Sequence, residues 1–251
     1  LDAMIEREGA DTVAAFFAEP IMGAGGVIVP PKTYFAKIQA VLKKHDVMLV
    51  ADEVICGFDR TGNAFGPETF GMKPDILTMA KALSSGYVPI SATVVSEPIY
   101  QVLKKQSEKI GVFFHGYTYS GHPVPAAVAV ETLKIYEQRD MLGQVRRVGP
   151  IFQEKLRRFA AHPIVGEVRG TGLIAGIELV ANKASKERFD AKKGAGALLA
   201  ARCQENGLIV RVLGGDGVAL CPPLVISEAE IDELAKRLAK ALDETAERLA
   251  T

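Results

Sequence analysis

The sequence predicts an α/β fold with a mostly parallel sheet and helices on both faces, followed by a smaller α+β unit. Two observations predict the sheet, and a third predicts the division. Apolar runs at residues 12–18, 47–51 and 75–80 end in Glu19, Asp52 and Lys81, roughly 30 residues apart, which is the span of one strand–helix–strand unit. The segments between the runs carry helical spacing or Gly/Pro loops, as crossover connections do. Near residue 140 the pattern changes to charged helices alternating with short strands. We therefore expect a first domain over 1–139 and a second over 140–251.

The elements follow in order. Leu1 to Gly9 reads as the end of a helix, with Gly9 as its stop. Val13 to Ala18 reads as a buried strand and 20–31 as a Gly/Pro loop. Thr33 to Lys44 reads as a helix, because Tyr34, Ile38, Val41 and Leu42 share helical spacing and Lys43 and Lys44 suit its carboxyl end. Val47 to Ala51 lacks alternation and is expected to be buried on both faces. A long Gly-rich loop over 57–74 precedes a strand over Asp75–Ala80, and Ile90–Val95 is a fourth strand. Pro98–Lys105 and Pro125–Glu137 read as helices flanking an aromatic, Gly-rich loop over 111–123. Beyond Met141 come a helix to Phe159 and strands within Val165–Val180. A helix over Lys192–Asn206 follows, then strands over Leu208–Leu213 and Val218–Leu220, and a last helix. Ser227 and Glu230 form the Ser-x-x-Glu capping box that starts it. The second unit is expected to pair its strands antiparallel.

Composition limits the function classes. Lys+Arg and Asp+Glu both number 30 in 251 residues, so charge gives no sign of a nucleic-acid or anionic-membrane partner. No apolar run reaches the roughly 18 residues of a membrane span. Cys56, Cys203 and Cys221 show no CxxC spacing and the four histidines no ligand spacing, so no metal site is expected. Scattered thiols suit a reducing compartment, read here as the cytoplasm. The chain opens without Met in what reads as mid-helix, so residue 1 is not expected to be the natural start.

Ligands of parallel sheets bind beyond the carboxyl ends of the strands, where Glu19, Asp52 and Lys81 fall. An Asp-Glu pair after an apolar strand also suits a P-loop nucleotide hydrolase, but no GxxxxGK[ST] loop occurs in these residues. Asp52 alone is equally consistent with a helix-capping aspartate. Lys81, flanked by Met79-Ala80 and Ala82-Leu83, is expected to be partly buried at the crevice. Burial lowers an amine's pKa and makes it nucleophilic. The loop from His115 to Pro123 offers hydroxyls and backbone amides to a phosphate, or is a rigid turn. Gly170-Thr171-Gly172-Leu173-Ile174-Ala175-Gly176 has the wrong spacing for a dinucleotide site and reads as strand structure. Arg211, in an otherwise apolar strand, reads by spacing alone as a salt-bridged or edge residue.

Taken together, several stretches resemble the class III, fold type I, pyridoxal-phosphate aminotransferases. They are Glu19-Pro20 with its glycines, Leu49–Val54, Gly57–Gly62, Lys81–Ile90, His115–Pro123, Val168–Leu173 and Cys221–Leu224. They occur in family order over essentially the whole chain, which then looks like a carboxyl-terminal portion. The Tyr117–Pro123 form is most similar to the ω-amino acid or amine:pyruvate branch. Asp59 and Ala82 stand where glycine is common in the family.

The resemblance implies pyridoxal 5'-phosphate as cofactor, Lys81 as its Schiff-base lysine and Asp52 as partner of the pyridine nitrogen. A charge pair at about 4 Å is worth about 4 kcal/mol at an effective dielectric near 20, which favours a protonated ring. It further implies Val54 packed on one ring face, Glu19 near the cofactor and Thr118 reaching the phosphate of a neighbouring subunit. Arg211 becomes the mobile arginine for a substrate carboxylate. The implied activity is ping-pong transamination between an amine or ω-amino acid and a keto acid, pyruvate being expected, in a homodimer. Alternatives on the same scaffold are an aminomutase, a decarboxylase, a 2-oxoglutarate-dependent aminotransferase, or an inactive fragment acting as a structural half.

Overall fold

A computed structural model describes residues 1–250. They form two compact units. The first comprises Leu1–Pro20, Pro30–Phe58 and Phe65–Asp140; the second comprises Ile21–Val29, Asp59–Ala64 and the stretch from Met141 onward. A single cut at 139/140 does not capture the two short excursions.

The first unit holds a four-stranded sheet in the order β1-β2-β3-β4, made of Ala15–Ala18, Met48–Asp52, Ile76–Met79 and Ala92–Val95. β1, β2 and β3 run parallel, and β4 returns antiparallel to β3. Two helices, α1 (Asp2–Glu8) and α2 (Tyr34–His45), cover one face. Ile5, Phe35, Leu42, Val47, Leu49, Ala51 and Met72 form the core there, with Phe16 and Ala18 packed on it. Lys44 Nζ ties α1 down, 3.0 Å from Asp2 and 2.8 Å from Glu6. α2 ends one residue past the expected Lys44, at His45, with Asp46 in the left-handed region as its cap.

The run at 12–18 is less buried than expected. β1 is an edge strand, and Phe17, on the face away from α1 and α2, is 70% exposed. Inside the expected long loop lies a short helix, α3 (Gly66–Phe70), with Pro67 in its first turn. α4 (Glu97–Ile110) and α5 (Pro123–Gln138) follow. The His122 ring caps α5 by accepting from the Val124 N–H at 3.2 Å.

The second unit pairs all four of its strands antiparallel, in the order β5-β6-β8-β7: Val165–Thr171, Ile174–Leu179, Gly217–Leu220 and Arg211–Leu213. Helices α6 (Met141–Arg157), α7 (Ala195–Glu205) and α8 (Glu228–Ala250) pack around buried Phe152, Leu173, Ile177, Leu199, Leu238 and Leu242. The glycine-rich run near 172 is the β5–β6 turn. Gly172 takes φ +54°, and a Cβ there would lie 2.3 Å from the Arg60 carbonyl oxygen, so both conformation and space require glycine. Arg60 Nη1 donates to the Leu173 carbonyl at 3.1 Å, and the Leu173 N–H donates back to the Arg60 carbonyl at 2.9 Å. The capping box forms as predicted: the Ser227 N–H donates to Glu230 Oε2 at 2.7 Å and the Glu230 N–H to Ser227 Oγ at 3.3 Å.

Candidate active site at the strand ends

Strand register brings three candidates to one edge. Ala18 pairs with Ala51, so Glu19 and Asp52 stand next to each other at the carboxyl ends of β1 and β2. Asp52 pairs with Thr78, three residues before Lys81. Register therefore sets a glutamate and an aspartate side by side at two strand ends, and a lysine follows the end of the third, the edge where open parallel sheets bind ligands.

Alternation along β2 assigns faces. Leu49 and Ala51 point into the α1/α2 core, so Asp52 shares the opposite face with Val50 and Phe17. Asp52 is half-buried, and its Oδ1 accepts from the Val54 N–H at 3.0 Å, which orients the carboxylate and places Val54 directly after it. The next residue, Glu53, turns inward and is 1% exposed. Its Oε2 accepts from the Gly66 N–H at 3.0 Å, and its Oε1 has no hydrogen-bond partner among the described residues. Burial pushes its carboxyl up from 4.5 to about 7; the Gly66 N–H counteracts this, and the negative charges of Asp52 and Glu68 add to it. Sequence reasoning named Glu53 only as part of a motif, because nothing in the residue order shows how completely it is enclosed.

Lys81 opens a 3-10 turn, Lys81–Ser84, just past β3. Its φ is +45°, in the left-handed region that a side chain with a Cβ adopts at a cost of roughly 1–3 kcal/mol. Such strain concentrates at functional positions, and no sequence signal announces it. The turn is fixed from below by buried Leu83 and Ser84. The expectation of a partly buried Lys81 is corrected. The strand stops at Met79 and the turn carries the lysine past the sheet edge, where it is exposed. It forms no ion pair among the described residues, so its amine is not engaged by a carboxylate.

Thr118 and Arg211 are not brought to these strand ends by any hydrogen bond among the described residues. Thr118 lies in the exposed loop before α5, in a turn closed by the Ser120 N–H to the Tyr117 carbonyl at 2.9 Å. Arg211 is the first residue of the edge strand β7 in the second unit, exposed and in no ion pair among the described residues. The edge half of its spacing-only reading holds and the salt-bridged half does not. Ile209, counted in the same apolar run, is 90% exposed and precedes the strand.

These residues fit pyridoxal phosphate. Among the described residues, an amine outside any ion pair follows one strand and an oriented carboxylate ends the adjacent parallel strand.

Comparison with known proteins agrees with this chemistry. Residues 1–242 match the family described as Aminotransferase class-III. "Gamma aminobutyrate transaminase 3, chloroplastic" from Solanum lycopersicum is 53% identical over 99% of this chain and 48% of its own length. "Gamma aminobutyrate transaminase 1, mitochondrial" from the same plant is 52% identical over the same shares. The solved ω-transaminase from Pseudomonas jessenii in complex with PMP superposes with a TM-score of 0.96. It is 47% identical over 99% of this chain and 55% of that chain. The chain spans about half the length of the curated relatives it matches.

The cytoplasmic expectation is overturned, since these curated relatives are chloroplastic and mitochondrial. Free thiols suit any reducing interior, so cysteine count carries no address. The family uses pyridoxal phosphate, which the strand-end residues fit. On the match over nearly its whole length, the chain belongs to the class III aminotransferases, on the fold type I scaffold.

Proposed function

We propose that this chain supplies the lysine-bearing part of an enzyme that transfers an amino group between an amine or ω-amino acid and a keto acid, with pyruvate as acceptor. The observation that carries the proposal is the placement of Glu19, Asp52 and Lys81 at the carboxyl ends of adjacent parallel strands, with Lys81 held at φ +45°. The first unit is assigned to the cofactor-binding domain and the second unit to the small domain. The γ-aminobutyrate transaminases among the relatives favour an ω-amino acid as donor.

When bound, pyridoxal phosphate supplies an electron sink for the carbon that loses its proton. Lys81 Nζ would be the group that holds the cofactor, and its free amine would serve as the general base that takes and returns the substrate α-proton. The Asp52 carboxylate, held in place by the Val54 N–H at 3.0 Å, would favour a protonated pyridine nitrogen. Val54 and Glu19 would line the cofactor's site, and Thr118, in the exposed loop before α5, would contribute to the phosphate site of a neighbouring subunit in a homodimer. The exposed guanidinium of Arg211 grips a carboxylate substrate and withdraws for an apolar amine.

Half-reaction kinetics test this in the intact enzyme. Each half-reaction is followed separately, with γ-aminobutyrate or a simple amine as donor and pyruvate as acceptor. Pyruvate should be converted to alanine. Arg211→Ala should slow the pyruvate half-reaction at least tenfold, the scale of about 1.5–3 kcal/mol for a charged hydrogen bond, and leave simple-amine turnover within about twofold. Equal losses in both halves contradict the role of Arg211. Absence of alanine contradicts pyruvate as acceptor.

A further inference from the structure

A non-glycine residue stays in the left-handed region only where its surroundings over-determine it. Around Lys81, most of the polar ties are local. The Leu83 N–H donates to the Ala80 carbonyl at 3.0 Å, the Ser85 N–H to the Ala82 carbonyl at 3.1 Å and the Gly86 N–H to the Lys81 carbonyl at 3.2 Å. Ser84 Oγ bonds the Val88 carbonyl at 2.7 Å, four residues on. One tie comes from elsewhere: Tyr136, near the end of α5, donates its hydroxyl to the Ala82 carbonyl at 2.8 Å. The Tyr136 ring packs in the same cluster as Met79, Ala82 and Leu83, with its centroid 6.3 Å from that of Phe58. The ring is thus fixed by packing, and the hydroxyl reaches the carbonyl of the residue next to Lys81.

We propose that Tyr136 is a positioning residue for Lys81, its hydroxyl holding the strained turn that aims the lysine amine at the cofactor. This rests on the assignment of Lys81 under the proposed function. α5 begins where the Thr118 loop ends, so one helix carries the phosphate loop at its start and the lysine's restraint at its end. The hydroxyl takes no part in bond making. It narrows the positions available to Nζ, which a ring packed alone does not do.

The test uses Tyr136→Phe in the intact enzyme loaded with pyridoxal phosphate, because this change removes one oxygen and keeps the ring. Borohydride trapping and peptide mapping of the unmutated enzyme come first. If Lys81 is not the labelled lysine there, the underlying assignment fails, independently of Tyr136. With Lys81 labelled, Tyr136→Phe should fold, melt within a few degrees of the parent and still be trapped at Lys81. The pH titration of the lysine-bound cofactor's absorbance should move, and both half-reactions should slow by about fivefold, as expected for one lost hydrogen bond. Phe58→Leu, which loosens the same cluster and keeps the hydroxyl, should lower the melting temperature without moving that titration. An unchanged titration and unchanged rates in Tyr136→Phe overturn the proposal. So does an equal shift in Phe58→Leu, or a Tyr136→Phe protein that does not fold, because packing or overall stability would then be the whole role.

Discussion

Glu53 and Asp52 are consecutive carboxyls with opposite surroundings. Asp52, the last residue of β2, is half-buried and oriented by the Val54 N–H. Glu53 is enclosed beside Gly66, where a Cβ would lie 2.8 Å from Glu53 Oε1 and 2.5 Å from Pro20. Its carboxyl is raised from 4.5 to about 7. A raised acid favours the protonated fold. This contribution is fully present below pH 4.5 and is lost as pH rises through about 7. The full difference corresponds to about 3 kcal/mol at about 1.4 kcal/mol per unit. Glu53→Gln keeps an acceptor for the Gly66 N–H and carries no charge. It should melt close to the parent near pH 4.5 and higher by several degrees at pH 8. A parent and variant that stay parallel across that range would show that Glu53 does not titrate there. At this scale the sequence reads out which residues stand at the strand ends, because Lys81, Asp52 and Glu19 follow the apolar runs. It is silent on Tyr136, whose contact with Ala82 spans 54 positions and leaves no pattern, and on the backbone strain at Lys81.

Elements followed the sequence wherever periodicity and caps agreed. α2 and α8 lie where apolar spacing and the Ser227–Glu230 box place them, and the four strands of the first unit fall within or against the expected runs. Departures came from neighbours rather than propensity. β1 reads as a buried strand because Phe16 and Phe17 are both apolar, yet its position at the sheet edge leaves Phe17 exposed. β7 is shorter than its apolar run because only Arg211–Leu213 pair with β8. The capping box permits a direct measurement. Ser227→Ala removes the acceptor for the Glu230 N–H and should cost about 1 kcal/mol in urea or thermal unfolding. Glu230 receives both the Ser227 N–H and hydroxyl, which hold its carboxyl below the usual range. A loss under about 0.3 kcal/mol would mean the end of α8 frays in the native state.

For the whole molecule, the stretches 21–29 and 59–64 belong to the second unit although they lie within the sequence of the first. A linear scan places a boundary near 140, where composition changes, and misses both excursions because each lies in a Gly-rich loop with no periodic signature. Within the second unit Arg169 makes the first excursion definite. It donates to the Gly26 carbonyl at 2.6 Å and pairs with Glu178, also at 2.6 Å. If the strand-end residues form a cofactor site, ligand binding must stabilise the intact protein by mass action, by about 2.7 kcal/mol at a hundredfold excess over Kd. Pyridoxal phosphate should therefore raise the melting temperature, and Asp52→Asn should reduce that rise. An equal rise in Asp52→Asn would remove Asp52 from the site. The most direct measurement of the central claim is chemical. Reduction of the pyridoxal-phosphate-loaded enzyme with borohydride, followed by peptide mapping, should place the cofactor on Lys81 alone, and Lys81→Ala should yield no labelled peptide. A label on any other lysine, or one that survives Lys81→Ala, contradicts the assignment.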